Sequence, residues 1–337
     1  MVALYVTSLE RAVGKTALCA GLGKYLLGDG KKVGFFKPMI ADGKNLPAEG
    51  ADSDCIFMKH IFALEEPIDY LCPVISDQGS LPDKIQNAYA RVFQGKDVVI
   101  VEGDGLDKAS VIAQALSAKV IIMESYSNDS LNAKLINSYK DFGGYLLGVV
   151  VNKVPRTRLE QVDEEISARF GKAGINILGV LPEDRTLFTL TVAELAQHIQ
   201  GEILNHAEKS AELIENFMLG AKCVDPGPEY FSRKANKAVV VRSERPDMQL
   251  AALETPTKCL ILSGDTPPTH GVLYQAEVKN VPIILAKADT ISIVKSVEDA
   301  LGKARFNQEQ KLPKLAEIMK QRFDFQALHR GLGLAAK

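Results

Sequence analysis

Two runs of consecutive β-branched residues, Val98-Val99-Ile100-Val101 and Val149-Val150-Val151, restrict what this chain can fold into. A strand with apolar side chains on both faces cannot leave one face in water. It belongs in the middle of a parallel sheet covered by crossover helices. Comparable strand signals are expected at 3–7, 33–37, 98–102, 120–123, 146–152 and 178–181, with helical spacing of apolar residues at 15–27, 81–93, 130–142 and 159–170. This alternation predicts an α/β fold with a doubly wound, mainly parallel sheet over residues 1–200.

The pattern changes after the turn Leu181-Pro182-Glu183-Asp184. Thr191 followed by Glu194 has the form of a capping box opening a short helix, and a boundary is expected near Gly201. Residues 201–306 predict a second, smaller α/β domain, with strands at 238–242, 259–263 and 282–286 and helices near 248–253, 271–278 and 292–303. Residues 307–337 predict a terminal helix, over 308–322, and a frayed tail. With 337 residues, 46% of them hydrophobic, the chain has apolar mass for two cores.

The first strand leads into Ser8–Val13, which suits neither strand nor helix, and then into Gly14-Lys15-Thr16, where a helical pattern starts. A strand, loop and helix in this order present backbone N–H groups and a helix N-terminus to phosphate oxygens. Lys15 adds a positive charge, and the Thr16 hydroxyl can ligate magnesium. The strict phosphate-loop pattern places glycine where this chain has Leu9, so the match is to a deviant loop; an ordinary strand–helix turn is the alternative. On the phosphate-loop reading, Glu10, Ala12, Val13, Gly14, Lys15, Thr16 and Ala17 are candidates to contact ATP.

Other candidates fall at strand ends, where this fold opens its crevice. Glu102 closes the run that starts at Val98, and with Thr16 and Asp54 it is a candidate for holding magnesium. Asp52 and Asp54 follow a glycine-containing loop over 41–50 and suit an acidic turn equally well. Lys37, fixed before Pro38, brings a second cation; Lys15 and Lys37 are the catalytic candidates, clamping negative charge on phosphate. Asn152, followed by Lys153, is a candidate to read an adenine edge, and Pro182 is a further candidate to contact the nucleotide.

A formal net charge of −2 gives no global attraction to nucleic acid or anionic membrane, and no apolar run is long enough to cross one. The start of the chain has no export signal, and a cytoplasmic location is expected. Cys19, Cys55, Cys72, Cys223 and Cys259 are scattered without metal-ligand spacing, as are the five histidines, so reduced structural thiols and no zinc site are expected.

Together these residues resemble the dethiobiotin synthetase-like branch of the phosphate-loop ATPases, with its long deviant loop ending in V-G-K-T, a strand ending in K-P and a V-E-G strand end. Here these are Val13-Gly14-Lys15-Thr16, Phe36-Lys37-Pro38 and Val101-Glu102-Gly103. That resemblance covers residues 2–198. The closer one is to the amino-terminal region of long phosphate acetyltransferases, where such a domain precedes a DRTGG domain. The second half resembles the latter through Ser243-Glu244-Arg245-Pro246-Asp247, Leu260-Ile261-Leu262-Ser263-Gly264, Val281-Pro282-Ile283 and Asp289-Thr290. Either side of Pro246, and at Asp289, helix capping accounts for the same residues.

The resemblance implies Mg-ATP binding, a homodimer, and a second domain that senses a small-molecule ligand or a partner. Met39-Ile40-Ala41-Asp42 stands where true dethiobiotin synthetases carry a small, serine-containing substrate segment, so biotin synthesis is not expected. Acetyl transfer is not expected from this chain alone, because it stops at Lys337, before the point where the acetyltransferases carry their catalytic domain. Three functions follow: an ATP-binding protein or slow ATPase, an ATP-dependent ligase acting on a small carboxylate or carbamate, and a non-enzymatic regulatory subunit of a separate acetyltransferase.

Overall fold

The computed structural model describes residues 1–41, 52–77, 79–106, 108–127, 136, 139, 142–220 and 227–334. The helix expected at 130–142 falls largely outside them, as do Cys223 and most of the loop at 41–50. The chain forms two compact units, Met1–Asp184 with Phe306–Lys337, and Arg185–Arg305.

In the first unit the strands are β1 (Val2–Thr7), β2 (Val33–Phe36), β3 (Met39–Ala41), β4 (Val74–Ser76), β5 (Val98–Glu102), β6 (Lys119–Ser125), β7 (Leu146–Val154) and β8 (Ile177–Pro182). Six of them form one parallel sheet in the order β2-β5-β1-β6-β7-β8, and β3 and β4 make a separate parallel pair. Every residue of β2 and β5 is buried, which is why both read as continuous apolar runs. From β1 the chain first goes out to β2 and returns through β5, then crosses to the other side for β6, β7 and β8. The strand order therefore reverses at β1, and the carboxyl ends of β5, β1 and β6 border the crevice where this class of sheet binds ligands.

Helix α1 (Lys15–Gly28) follows β1, and α2 (Ser53–Ile61) follows β2 and β3. Two terminal helices, Leu312–Arg322 and Phe325–Leu332, complete this unit rather than forming a separate tail. Phe325 stacks on Tyr25 of α1 with ring centroids 3.7 Å apart, and Phe323 bridges Gly179 of β8.

The second unit has β9 (Leu190–Thr191), β10 (Glu202–Ile203), β11 (Leu213–Ile214), β12 (Asn216–Leu219), β13 (Lys237–Arg242), β14 (Thr257–Ser263) and β15 (Ile283–Ala286). Its sheet runs β10-β15-β14-β13-β12, parallel except for β10 at one edge. Each face carries its own core. The helices Gly227–Phe231, Pro246–Leu253 and His270–Lys279 cover one face, and Val192–His198 with Thr290–Gly302 the other.

The expected capping box is present: the Glu194 amide donates to Thr191 Oγ1 (3.1 Å) and the Thr191 amide to Glu194 Oε2 (2.9 Å). Because Val192, Leu195 and Ala196 of that helix are core residues of the second unit, residues 185–200 belong there, and the division falls before the expected boundary near Gly201. Asp289 caps Thr290–Gly302 by accepting from the amides of Ile291 and Ser292. No helix among the described residues is long and apolar enough to cross a membrane.

Candidate functional site

Helix α1 starts on Gly14, whose φ of +108° is left-handed and whose carbonyl accepts the Leu18 amide at 3.0 Å. Among the described residues no side chain caps this end. The amides of Lys15, Thr16 and Ala17 thus lack intrahelical partners, and they stand at the positive end of the helix dipole, an arrangement suited to phosphate oxygens. Ala12 is also left-handed, at φ +57°, so the loop turns twice within three residues.

The end of β7 holds this loop in place. Asn152 Nδ2 donates to the Val13 carbonyl (2.8 Å) and Lys153 Nζ to the Ala12 carbonyl (2.8 Å). Asn152 was expected to read an adenine edge; the structure gives its carboxamide a bond to the loop backbone. Val13 is buried and pins the loop from below, while Glu10 and Ala12 are exposed. The Glu10 carbonyl accepts from Ser8 Oγ (2.5 Å), and Ser8 Oγ in turn accepts from buried Lys15 Nζ (2.8 Å). Pro182 is buried at the end of edge strand β8, separated from β1 by β6 and β7.

Beyond Lys15 the crevice is acidic. The Thr16 hydroxyl donates to Glu102 Oε1 (2.8 Å) and lies 3.5 Å from Asp54 Oδ2. Glu102 is 3% exposed, and its Oε2 has no hydrogen-bond partner among the described residues. Burial pushes its carboxyl up to about 7, with Lys37, Thr16 and Lys15 pulling it down and Asp54 raising it further. Lys37 Nζ donates to Asp54 Oδ2 (2.6 Å) and to both Asp52 oxygens (3.0 and 3.1 Å), and stands 3.9 Å from Glu102. Burial opposes the Lys37 charge, but Glu102, Asp54 and Asp52 outweigh it and hold its pKa above the ordinary lysine range.

Magnesium is the ion this fold implies, and the residues fit it. A hydroxyl and two carboxylates converge, all hard oxygen donors, and one buried carboxylate oxygen is left without a partner. Thr16, Glu102 and Asp54 would hold the ion, which neutralises phosphate charge when bound.

Gly103 matters for shape, since a Cβ there would run into the Tyr5 ring and hydroxyl. Glu124, near the carboxyl end of β6, escaped the sequence reading. Its Oε1 accepts the Leu9 amide at 3.4 Å, and burial pushes its carboxyl up to about 7. The strand-end rule that picked out Glu102 would have found it too.

Sheet order, the glycine-started helix after β1 and the acidic strand end of β5 define a phosphate-loop NTPase fold. Residues 2–189 match the family described as AAA domain, and the chain belongs to it; residues 194–300 match the DRTGG domain. The phosphate acetyltransferase of Nitrosomonas europaea is 26% identical over 90% of this chain and 47% of its own length. The ATP-dependent dethiobiotin synthetase BioD of Caldicellulosiruptor saccharolyticus is 27% identical over 31% of this chain and 49% of its own length. Among solved structures, the MinD cell division protein of Aquifex aeolicus is 20% identical, covering 56% of this chain and 84% of its own, with a TM-score of 0.36. The chain spans about half the length of the curated acetyltransferases it matches.

Proposed function

We propose that this protein binds Mg-ATP at the loop 8–16, with slow hydrolysis at most, and that its second unit answers to a small-molecule ligand. The observation that carries the reading is the pairing of Thr16 with Glu102 at 2.8 Å beside an unpartnered carboxylate oxygen, directly below a helix start whose amides have no cap. Lys15 meets the phosphates, and Lys37 adds positive charge to the crevice from its place beside Asp52, Asp54 and Glu102. Calorimetric titration tests this: the full chain binds ATP with magnesium, and Lys15→Ala loses that binding. Absence of binding at millimolar ATP and magnesium overturns it.

The second unit supports the sensing role through a cavity of about 590 Å³, whose apolar lining is joined by Arg242, Arg245 and Lys295 against one carboxylate, Glu298. Apolar walls with cations nearby suit an anionic ligand that has a flat apolar part.

A regulatory association with an acetyltransferase is the second reading, favoured by the match to the phosphate acetyltransferases over 90% of this chain. It expects co-purification with such an enzyme and a change in its kinetics, and a homodimer measurable by light scattering. The ligase reading has less support, because Lys37 is engaged by Asp52 and Asp54 and would have to release them to act on a substrate.

A further inference from the structure

Next to the oxygen-lined crevice lies a second group of donors with different chemistry. Asp52 Oδ, Cys55 Sγ and Cys72 Sγ all lie within 4.8 Å of one another. They come from two places in the chain: Asp52 and Cys55 are the N-cap and first turn of α2, and Cys72 follows the short helix Ile68–Leu71. The segment carrying Cys72 is fixed beside Lys37 by backbone bonds, from the Lys37 amide to the Leu71 carbonyl (2.7 Å) and from the Met39 amide to the Pro73 carbonyl (3.0 Å).

We propose that Asp52, Cys55 and Cys72 form a binding site for a thiophilic divalent cation, with zinc as the natural choice. Thiolates with a carboxylate select a soft or borderline ion over magnesium, whose preference is for oxygen alone. A tetrahedral zinc ion with ordinary bond lengths holds two sulfurs and a carboxylate oxygen about 3.5–3.8 Å apart, so shifts of about 1 Å close the site.

The hydrogen bond to Cys72 and burial push the Cys55 thiol up, so the ion's own charge would have to deprotonate it. Two thiolates, one carboxylate and a dication carry a net charge of −1, and Lys37 Nζ, which also faces Asp54 and Glu102, offsets part of it from 3.0 Å beside Asp52 Oδ2. Asp52 is already oriented, since its Oδ1 accepts from the amides of Asp54 (2.9 Å) and Cys55 (3.2 Å), the outer-shell support that metal-binding carboxylates need. Cys55 is fully buried and Cys72 is 6% exposed, while the half-buried Asp52 leaves a way in. On binding, both thiols give their protons to solvent as the metal–sulfur bonds form. The ion would tie the first turn of α2, which carries Asp54, to the strand end that carries Lys37.

Cobalt(II) is the probe. The full chain, reduced and stripped of metal, should show a thiolate-to-cobalt charge-transfer band in the near ultraviolet that zinc abolishes at one equivalent. Cys55→Ser and Cys72→Ser should each weaken the band and lower zinc affinity by more than the roughly 10–100-fold that loss of an outer-shell partner costs. Lys15→Ala should leave band and affinity unchanged, which separates this site from the ATP reading. Where a cysteine variant does not fold, the unmodified chain still decides, because zinc should protect Cys55 and Cys72, but not Cys259, from alkylation in partial denaturant. Cobalt bound without charge transfer, unchanged zinc affinity in the cysteine variants, or equal alkylation of all three thiols would mean an adventitious ion only and overturn the proposal.

Discussion

Gly14→Ala probes the loop at its tightest point. At φ +108° an L residue costs about 1–2 kcal/mol. The new Cβ would also stand 2.6 Å from Asn152 Nδ2 and 3.3 Å from Met123 Cε. The first of these distances forces the carboxamide to move, and its 2.8 Å bond to the Val13 carbonyl goes with it, a further ~0.5–1.5 kcal/mol. Together the first unit should lose about 1.5–3.5 kcal/mol, which for a unit of this size lowers its melting temperature by roughly 3–14 °C. Circular dichroism of urea and thermal unfolding measures this in the full chain.

An Asn152→Ala background separates the two contributions, because it removes the carboxamide that collides and the bond that breaks. There Gly14→Ala should cost only the backbone share, leaving a coupling of about 1 kcal/mol in the double-mutant cycle. A Gly14→Ala protein within about 0.5 kcal/mol of the parent, or the same cost in both backgrounds, would refute the account of the loop.

Two further outcomes concern the second unit. Lys237 is fully buried, donates among the described residues to uncharged oxygens of Thr255 and Pro256, and burial lowers its pKa to about 8. A base depressed in the folded state destabilises while both states are protonated, below about pH 8, and ceases to do so above its ordinary value; the parent should therefore gain about 1–3 kcal/mol on Lys237→Met between pH 7.5 and pH 10, and a pH-independent difference in urea unfolding would refute this. Thr191→Ala removes the acceptor for the Glu194 amide and should cost about 1 kcal/mol, seen as a lower unfolding midpoint of that unit, whereas Thr191→Ser should retain most of it.

What could be read in advance follows from how far apart the cooperating residues are in the chain. β5 and β7 announced themselves because burial on both faces leaves a continuous apolar run, and α1 because its glycine, lysine and threonine are adjacent. The capping box at Thr191 and the cap at Asp289 are equally local. Strands of two to four residues such as β3, β10 and β11 are too short to display a period. The terminal helices joined the first unit through Tyr25 with Phe325 and Gly179 with Phe323, contacts that no spacing rule contains. The same distinction governs the site. Strand-end position was enough to nominate Lys37, Glu102 and Asn152, but not to say what each would touch. Lys37 meets Asp52 and Asp54, and Asn152 meets the loop backbone, only because β2 and β7 end, and α2 begins, at one edge of the sheet. That edge makes the magnesium candidates and the two buried thiols neighbours, so hard and soft donors share α2 within its first turn, with Asp54 facing Thr16 and Cys55 facing Cys72. An ion on either side would therefore fix the turn that the other side uses.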